Sequence, residues 1–164
     1  KKELDLNDLA ENVANTFTLR VEHTGGHIQT QLNAKEPTIY VDEMHFTNVI
    51  FNLLDNAVKY KHPDRPVELM IKSWNEGGRL YLSVKDNGIG LKKENLKKIF
   101  EKFYRVHTGN VHDVKGFGLG LAYVKKIVEL HKGEIHVESE RGKGTTFIIS
   151  LPEIKSGKQT GADE

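Results

Sequence analysis

Residues 42–60 carry two patterns at once, and together these restrict the fold more than any other segment does. Seven apolar residues recur at helical spacing and predict one broad buried face. They are Phe46, Val49, Ile50, Leu53, Leu54, Ala57 and Val58. Asn48, Asn52, Asn56 and Lys59 follow at i, i+4, i+8 and i+11, so they share the opposite face of the same helix. Asparagine is a mediocre helix former, so three asparagines on one helix face indicate a functional role rather than an ordinary solvated face. Their amide oxygens suit Mg²⁺.

The remaining periodic segments define the layers of the fold. Helical spacing predicts further helices over 7–23 and 119–131, with a short one through Leu96 and Phe100. Alternation and turn signals predict the strands 28–32, 38–41, 67–74, 79–85, 134–140 and 145–151. Residues 104–115 have almost no apolar periodicity and predict a mobile loop. Helices and at least five strands in this order predict an α+β sandwich, with a mostly antiparallel sheet covered on one face by helices.

Length and composition exclude several classes of protein. The chain has 164 residues, enough for one domain with a full core, and its 37% hydrophobic content is typical of a globular protein. A net charge of +1 gives no field to recruit nucleic acid, and the lack of cysteine excludes disulfides and thiol catalysis. No apolar run approaches the roughly 18 residues of a membrane span. The charged start at Lys1 suggests a piece of a longer polypeptide, with one domain over 1–152 and a polar flexible tail over 153–164.

Two glycine-containing segments carry further chemistry. The sequence Asp86-Asn-Gly-Ile-Gly90 ends a strand. One interpretation is an ordinary turn. The other is a binding site in which the Asp86 carboxylate accepts a hydrogen bond from an exocyclic amine, while the glycines let the backbone approach a flat ring closely. The sequence Gly116-Phe-Gly-Leu-Gly-Leu121 precedes a helix, whose first N–H groups favour phosphate, although a flexible hinge is the alternative. Its spacing is that of neither a dinucleotide fold nor a P-loop.

These segments, with Asn52-Leu-Leu-Asp-Asn56-Ala and Phe100-Glu-Lys-Phe-Tyr-Arg105, occur in an order and spacing that closely resembles the catalytic ATP-binding domain of sensor histidine kinases. The wider superfamily includes DNA gyrase B, the Hsp90 chaperones and MutL. The resemblance implies a Bergerat-type two-layer α/β sandwich, with about five strands covered on one face by three main helices. It also implies that ATP lies beneath a flexible lid.

Roles near the phosphates carry over by motif position. Asn56 resembles the Mg²⁺ ligand and Asn52 its neighbour near the phosphates. Lys59 resembles a basic residue at the phosphates, and Arg105 a lid residue that reaches the terminal phosphate. Gly116, Gly118 and Gly120 match the loop beneath the phosphates, in a nucleotide-binding segment that also contains Phe117, Leu119 and Leu121.

Roles near the base carry over in the same way. Tyr60 resembles the aromatic residue that packs on adenine. Asp86 matches the carboxylate that accepts from the adenine amino group, and Gly88 and Gly90 shape the base pocket. Thr145 aligns with a residue that binds the adenine side through water.

One position separates the branches of the superfamily. Gyrase, Hsp90 and MutL carry a glutamate four residues before the magnesium asparagine, where it activates water. Here that position is Asn52, and an amide cannot act as a general base. General-base catalysis accelerates a reaction by roughly 10²–10⁴-fold, so the attack of water on ATP loses this contribution. The substitution favours phosphoryl transfer to histidine over an ATPase switch of the gyrase, Hsp90 or MutL kind. A serine kinase of the anti-sigma-factor kind and a vestigial binding module are weaker rivals.

The phosphoacceptor histidine of the family is absent from its expected place. No histidine here precedes glutamate, and His112-Asp113 falls within the predicted lid. The resemblance therefore implies the catalytic half of a kinase, which requires a separate helical dimerisation domain and a response regulator. We expect a monomer for this piece, a homodimer for the full protein, and a cytoplasmic location within a membrane-bound sensor, with no nucleic-acid partner.

Overall fold

Three helices cover one face of a five-stranded sheet in the computed structural model, which describes residues 1–101 and 120–154. The helices in this part of the chain are α1 (Leu6–Glu22), α2 (Glu43–Lys59), the short α3 (Lys93–Leu96) and α4 (Gly120–Leu130). The strands are β1 (Lys2–Asp5), β2 (His27–Leu32), β3 (Thr38–Val41), β4 (Glu68–Glu76), β5 (Arg79–Asp86), β6 (Glu134–Glu140) and β7 (Gly144–Pro152).

The large sheet has the strand order β2-β4-β5-β7-β6. Only the β2–β4 pair within it is parallel, and the other three pairs are antiparallel. Inward-facing residues are aligned across the strands, as in the row formed by Ile71, Val84 and Phe147. All three are almost completely buried. The predicted α+β sandwich with a mostly antiparallel sheet is confirmed.

Helix α2 forms the centre of the helical layer. Its apolar stripe is buried except for Val58, which is partly buried, and Phe46, Ile50 and Leu54 have no solvent-exposed surface. Asp42 caps the start of the helix, because its side chain accepts a hydrogen bond of 3.0 Å from His45 N. Burial of the stripe directs the opposite face, with its asparagines, away from the core.

The structure differs from the sequence prediction at the N-terminus. Strand β1 was not predicted, and it pairs with β3 in a separate two-stranded sheet, in which Leu4 is opposite Ile39. Four residues with a single apolar side chain give no detectable alternation, so this strand depends on its partner. Strand β3 consequently stands outside the large sheet.

The segment after the Asp86 motif is less helical than predicted. Helix α3 ends at Leu96, short of Phe100. Lys98 N and Glu101 N instead donate to carbonyl groups three residues back, at 3.0 and 2.9 Å, which gives successive turns. The predicted mobile loop over 104–115 lies outside the described residues, as does the tail beyond residue 154. None of the helices in the described ranges is both long and apolar enough to cross a bilayer.

Candidate nucleotide-binding site

Asp86 lies at the end of β5 and is almost completely buried. Its Oδ1 atom accepts hydrogen bonds from Gly88 N at 2.8 Å and from Thr145 N at 3.2 Å. Burial raises the pKa of the Asp86 carboxyl to about 6, although these two hydrogen bonds oppose the rise. Among the described residues, both hydrogen bonds to this carboxylate go to Oδ1 and none goes to Oδ2. Every fully buried side-chain polar atom in the same residues has a partner, so the unpaired Oδ2 is not fully buried. Oδ2 can therefore accept a hydrogen bond from a donor that enters the site.

The loop over residues 86–90, here called the Asp86 loop, lies against the end of α2. Ile89 N donates to Tyr60 O at 3.0 Å, so the predicted adenine-packing residue and the predicted adenine acceptor are brought together. A Cβ atom at position 88 would collide with Tyr60 O. One at position 90 would collide with Glu140 O, and Gly90 also has a φ of 71°. Only glycine fits these two positions.

Asn52 lies where α2 meets the start of α4. Its Nδ2 group donates to Asn48 O at 2.7 Å, which fixes the orientation of the amide. A Cβ atom at Gly120 would lie 3.1 Å from Asn52 Oδ1, so this oxygen faces the last glycine of the predicted phosphate loop. Asn56 follows one turn later, partly buried, on the same side of the helix. Neutral amide oxygens are hard donors that fit Mg²⁺ when phosphate oxygens and water complete its coordination.

Lys59 is paired in this structure. Its ammonium group lies 3.1 Å from Asp55 Oδ2, while Arg20 of α1 lies 3.0 Å from Asp55 Oδ1. The Lys59 side chain is partly exposed, and ion pairs of this kind contribute little to stability. An incoming phosphate can therefore compete with Asp55 for Lys59.

Thr145 belongs to a small network beside Asp86. Its hydroxyl is 2.8 Å from Ser139 Oγ. Ser139 in turn accepts from Leu91 N at 2.8 Å and donates to Gly144 O at 2.9 Å. The sequence analysis missed Ser139, although β6 carries a signal for it: Ser139 is a polar residue in the inward register of Ile135 and Val137.

The structure covers only part of the predicted phosphate side. Gly120 and Leu121 begin α4, and Leu121 packs against the core. Five predicted site residues lie outside the described residues, so their roles stay predictions: Arg105, Gly116, Phe117, Gly118 and Leu119.

Comparison with known proteins identifies the class. The profile of the histidine kinase-, DNA gyrase B-, and HSP90-like ATPase family matches residues 41–155. The chain belongs to this family.

The relatives are more specific. The chain is 65% identical over 128 residues to the sensor protein RprX of Bacteroides fragilis. This match covers 78% of this chain and 25% of that protein. The chain thus spans about a quarter of the length of this curated relative.

Two solved structures extend the likeness to the fold. The nucleotide-free catalytic domain of histidine kinase ThkA superposes with a TM-score of 0.77 at 25% identity, covering 93% of this chain and 95% of that one. Full-length ShkA in complex with AMPPNP superposes with a TM-score of 0.80 at 28% identity, and the match covers 94% of this chain and 31% of that one. These likenesses confirm the prediction of an ATP-binding catalytic domain of the histidine kinase type.

Proposed function

We propose that this domain binds Mg-ATP and donates the γ-phosphoryl group to a histidine on a separate helical dimerisation domain of a two-component sensor kinase. Asn52 is the observation that carries the proposal. Asn52 occupies the position at which the ATPase branches carry their catalytic glutamate. Its amide nitrogen donates to Asn48 O, and its Oδ1 faces the start of α4. A fixed amide cannot take a proton from water near neutral pH, so bound ATP is preserved until another nucleophile arrives.

The base half of the site supports adenine as the ligand. Asp86 keeps one carboxylate oxygen free of hydrogen bonds from the described residues, and an exocyclic amine is a suitable donor for it. Gly88 and Gly90 allow the Asp86 loop to lie directly against Tyr60 O and Glu140 O, and this close packing would shape the base pocket beside that oxygen. Tyr60 is held beside the same loop and would pack on the base, while the hydroxyl of Thr145 would engage it through water.

The phosphate half supports transfer rather than hydrolysis. Mg²⁺, held by Asn56 with Asn52 nearby, would supply neutralisation of phosphate charge. Lys59 would leave Asp55 and contact the phosphates, and Arg105 is proposed to reach the terminal phosphate. An imidazole nitrogen then forms a bond to the γ-phosphorus as the bond to the oxygen of the departing ADP breaks. Positioning and charge neutralisation are the main contributions of this chain.

The partners follow from the same proposal. The full protein would be a homodimer that places the phosphoacceptor histidine near this site and passes the phosphoryl group to a response regulator. It would be a membrane-bound sensor with this domain in the cytoplasm. Residues 1–152 would form the catalytic domain and 153–164 a polar tail.

The test is a transfer assay. The chain is mixed with γ-labelled ATP and a separately produced helical domain that bears the phosphoacceptor histidine. We expect acid-labile label on that domain, and no label when its histidine is replaced by glutamine. Steady ATP hydrolysis without transfer would instead place the chain with the ATPase switches of its family.

A further inference from the structure

Arg65 lies in the link between α2 and β4 and joins three backbone carbonyl groups. Its Nε group donates to Asn87 O at 2.8 Å. Its Nη2 group donates to Gly142 O at 2.7 Å and to Gly88 O at 3.3 Å. Two of these carbonyls belong to the Asp86 loop, and the third belongs to residues 141–143, here called the β6–β7 turn. In the described part of the chain the guanidinium therefore binds carbonyl oxygens rather than carboxylates.

The two segments that Arg65 joins are also bonded to each other. Gly142 N donates to Ile89 O at 2.7 Å, which closes the Asp86 loop onto the β6–β7 turn. The side chain of Asn87 donates to Pro66 O at 3.0 Å and accepts from Glu68 N at 2.9 Å. The chain on both sides of Pro66 is thus fastened to the residue that follows Asp86.

Neither segment is held by regular structure at this point. The Asp86 loop leaves the sheet at Asp86, the last residue of β5, and the β6–β7 turn is exposed. Gly88 and Gly142 have no side chain to pack, and Gly142 has a φ of 88°. Glycine allows many backbone conformations, so the position of such segments depends on their hydrogen bonds. The forked guanidinium can hold both at once, whereas a lysine ammonium offers a single point of attachment.

We propose that Arg65 is a positioning residue that sets the base selectivity of the nucleotide site. By fixing Asn87 and Gly88 against the β6–β7 turn, it holds the Asp86 carboxylate and Gly88 N in the register that an adenine amino group requires. This inference rests on the proposed function, since it takes adenine to be the base bound beside Asp86. It assigns to the α2–β4 link a role that none of the four sequence motifs contains.

The experiment compares two nucleotides that differ only in the group read by Asp86. Calorimetric titration in the presence of Mg²⁺ gives the affinities of ATP and of purine riboside triphosphate, which lacks the exocyclic amine. The variants are Arg65→Lys and Arg65→Gln. Arg79→Lys is the matched control, because Arg79 also donates to a backbone carbonyl and a hydroxyl, both of Ser150, at the far end of β5.

The ratio of the two affinities is the informative quantity. We expect both Arg65 variants to lower it by about fivefold or more, since a misplaced acceptor loses its hydrogen bond to the amine. Arg79→Lys should leave the ratio unchanged, even where thermal unfolding shows a similar loss of stability. An unchanged ratio in the Arg65 variants would reduce Arg65 to a structural residue and overturn the inference. If the unsubstituted chain binds neither nucleotide, the proposed function itself is wrong.

A second measurement avoids substitution altogether and applies even if the variants do not fold. In ¹⁵N spectra of the unsubstituted chain, the Nε–H signal of Arg65 should be protected from exchange. It should also shift when adenosine is added and stay in place when tripolyphosphate is added. An unprotected signal that ignores adenosine would contradict the inference independently of the variants.

Discussion

Replacing Asp86 with asparagine should stabilise the free domain while it weakens nucleotide binding. Burial raises the pKa of the Asp86 carboxyl from 3.8 to about 6, so the folded state disfavours the charged form. A pKa shift of one unit corresponds to about 1.4 kcal/mol. Above pH 7 the charged carboxylate therefore lowers the folding stability by about 3 kcal/mol. Asparagine has the same shape, can still accept from Gly88 N and Thr145 N, and carries no charge.

The sign of the effect depends on pH. An acid with a raised folded-state pKa binds more protons when folded, so wild-type stability falls as the pH rises between about 4 and about 6. Asp86→Asn lacks this dependence. The stability difference between the variant and the wild type should therefore be small at pH 4 and grow to about 3 kcal/mol at pH 7.

The assay is urea unfolding at a series of pH values, with the free energy of unfolding compared between the two proteins. Asp42→Asn is the matched control, since the hydrogen bond from His45 N lowers the pKa of Asp42 and asparagine also caps helices well. That variant should lose stability at neutral pH and approach the wild type as the pH falls. If Asp86→Asn is less stable than the wild type at pH 7, the assignment of a desolvated, partly unpaired carboxylate is wrong.

Nucleotide binding should change in the opposite direction. The asparagine amide presents a donor to the donor on adenine, so we expect the affinity for ATP to fall by about 1–3 kcal/mol. Titration calorimetry at pH 7.5 measures this loss. A variant with higher stability and unchanged affinity would mean that adenine does not contact this carboxylate.

Three further substitutions examine the phosphate half. Asn56→Ala should remove the difference between ATP affinities measured with Mg²⁺ and with a chelator, and a persisting difference would place the metal elsewhere. Asn52→Glu should raise steady ATP hydrolysis by the isolated chain, toward the roughly 10²–10⁴-fold that a general base supplies; unchanged turnover with ATP still bound would show that the missing base is not what preserves ATP. Asp55→Asn releases Lys59 and should tighten ATP binding severalfold at low salt without affecting adenosine, because only ATP presents phosphates. Equal effects on both ligands would exclude Lys59 from the phosphate side.

The sequence predicted the parts of this molecule that are local in the chain. Helix α2 was predictable because its apolar stripe and its cap are contained within one segment. The strand end and the turn over residues 86–90 were predictable in the same way, whereas the adenine roles of Asp86, Gly88 and Gly90 come from the family resemblance and stay predictions. An element whose sequence signals all lie within one short segment can be predicted without knowledge of the tertiary structure.

The features that the sequence missed depend on contacts between distant segments. Arg65 is an isolated basic residue in a loop, and its partners follow 22, 23 and 77 residues later. The pairing of Lys59 with Asp55 is local, but the contribution of Arg20 comes from a different helix. Among the described strands, β1 pairs with β3, which lies more than 30 residues later in the sequence. Such interactions become visible only when the chain is folded.

The central claim is that a purine binds against Asp86, and amide spectra test it most directly. Gly88 N and Thr145 N both donate to Asp86 Oδ1, so their signals report on that carboxylate. We predict that adenosine shifts both signals with a common dissociation constant, and that purine riboside shifts them much less at equal concentration. If ATP binds while these two signals stay fixed, the base lies elsewhere and the account of the site is wrong.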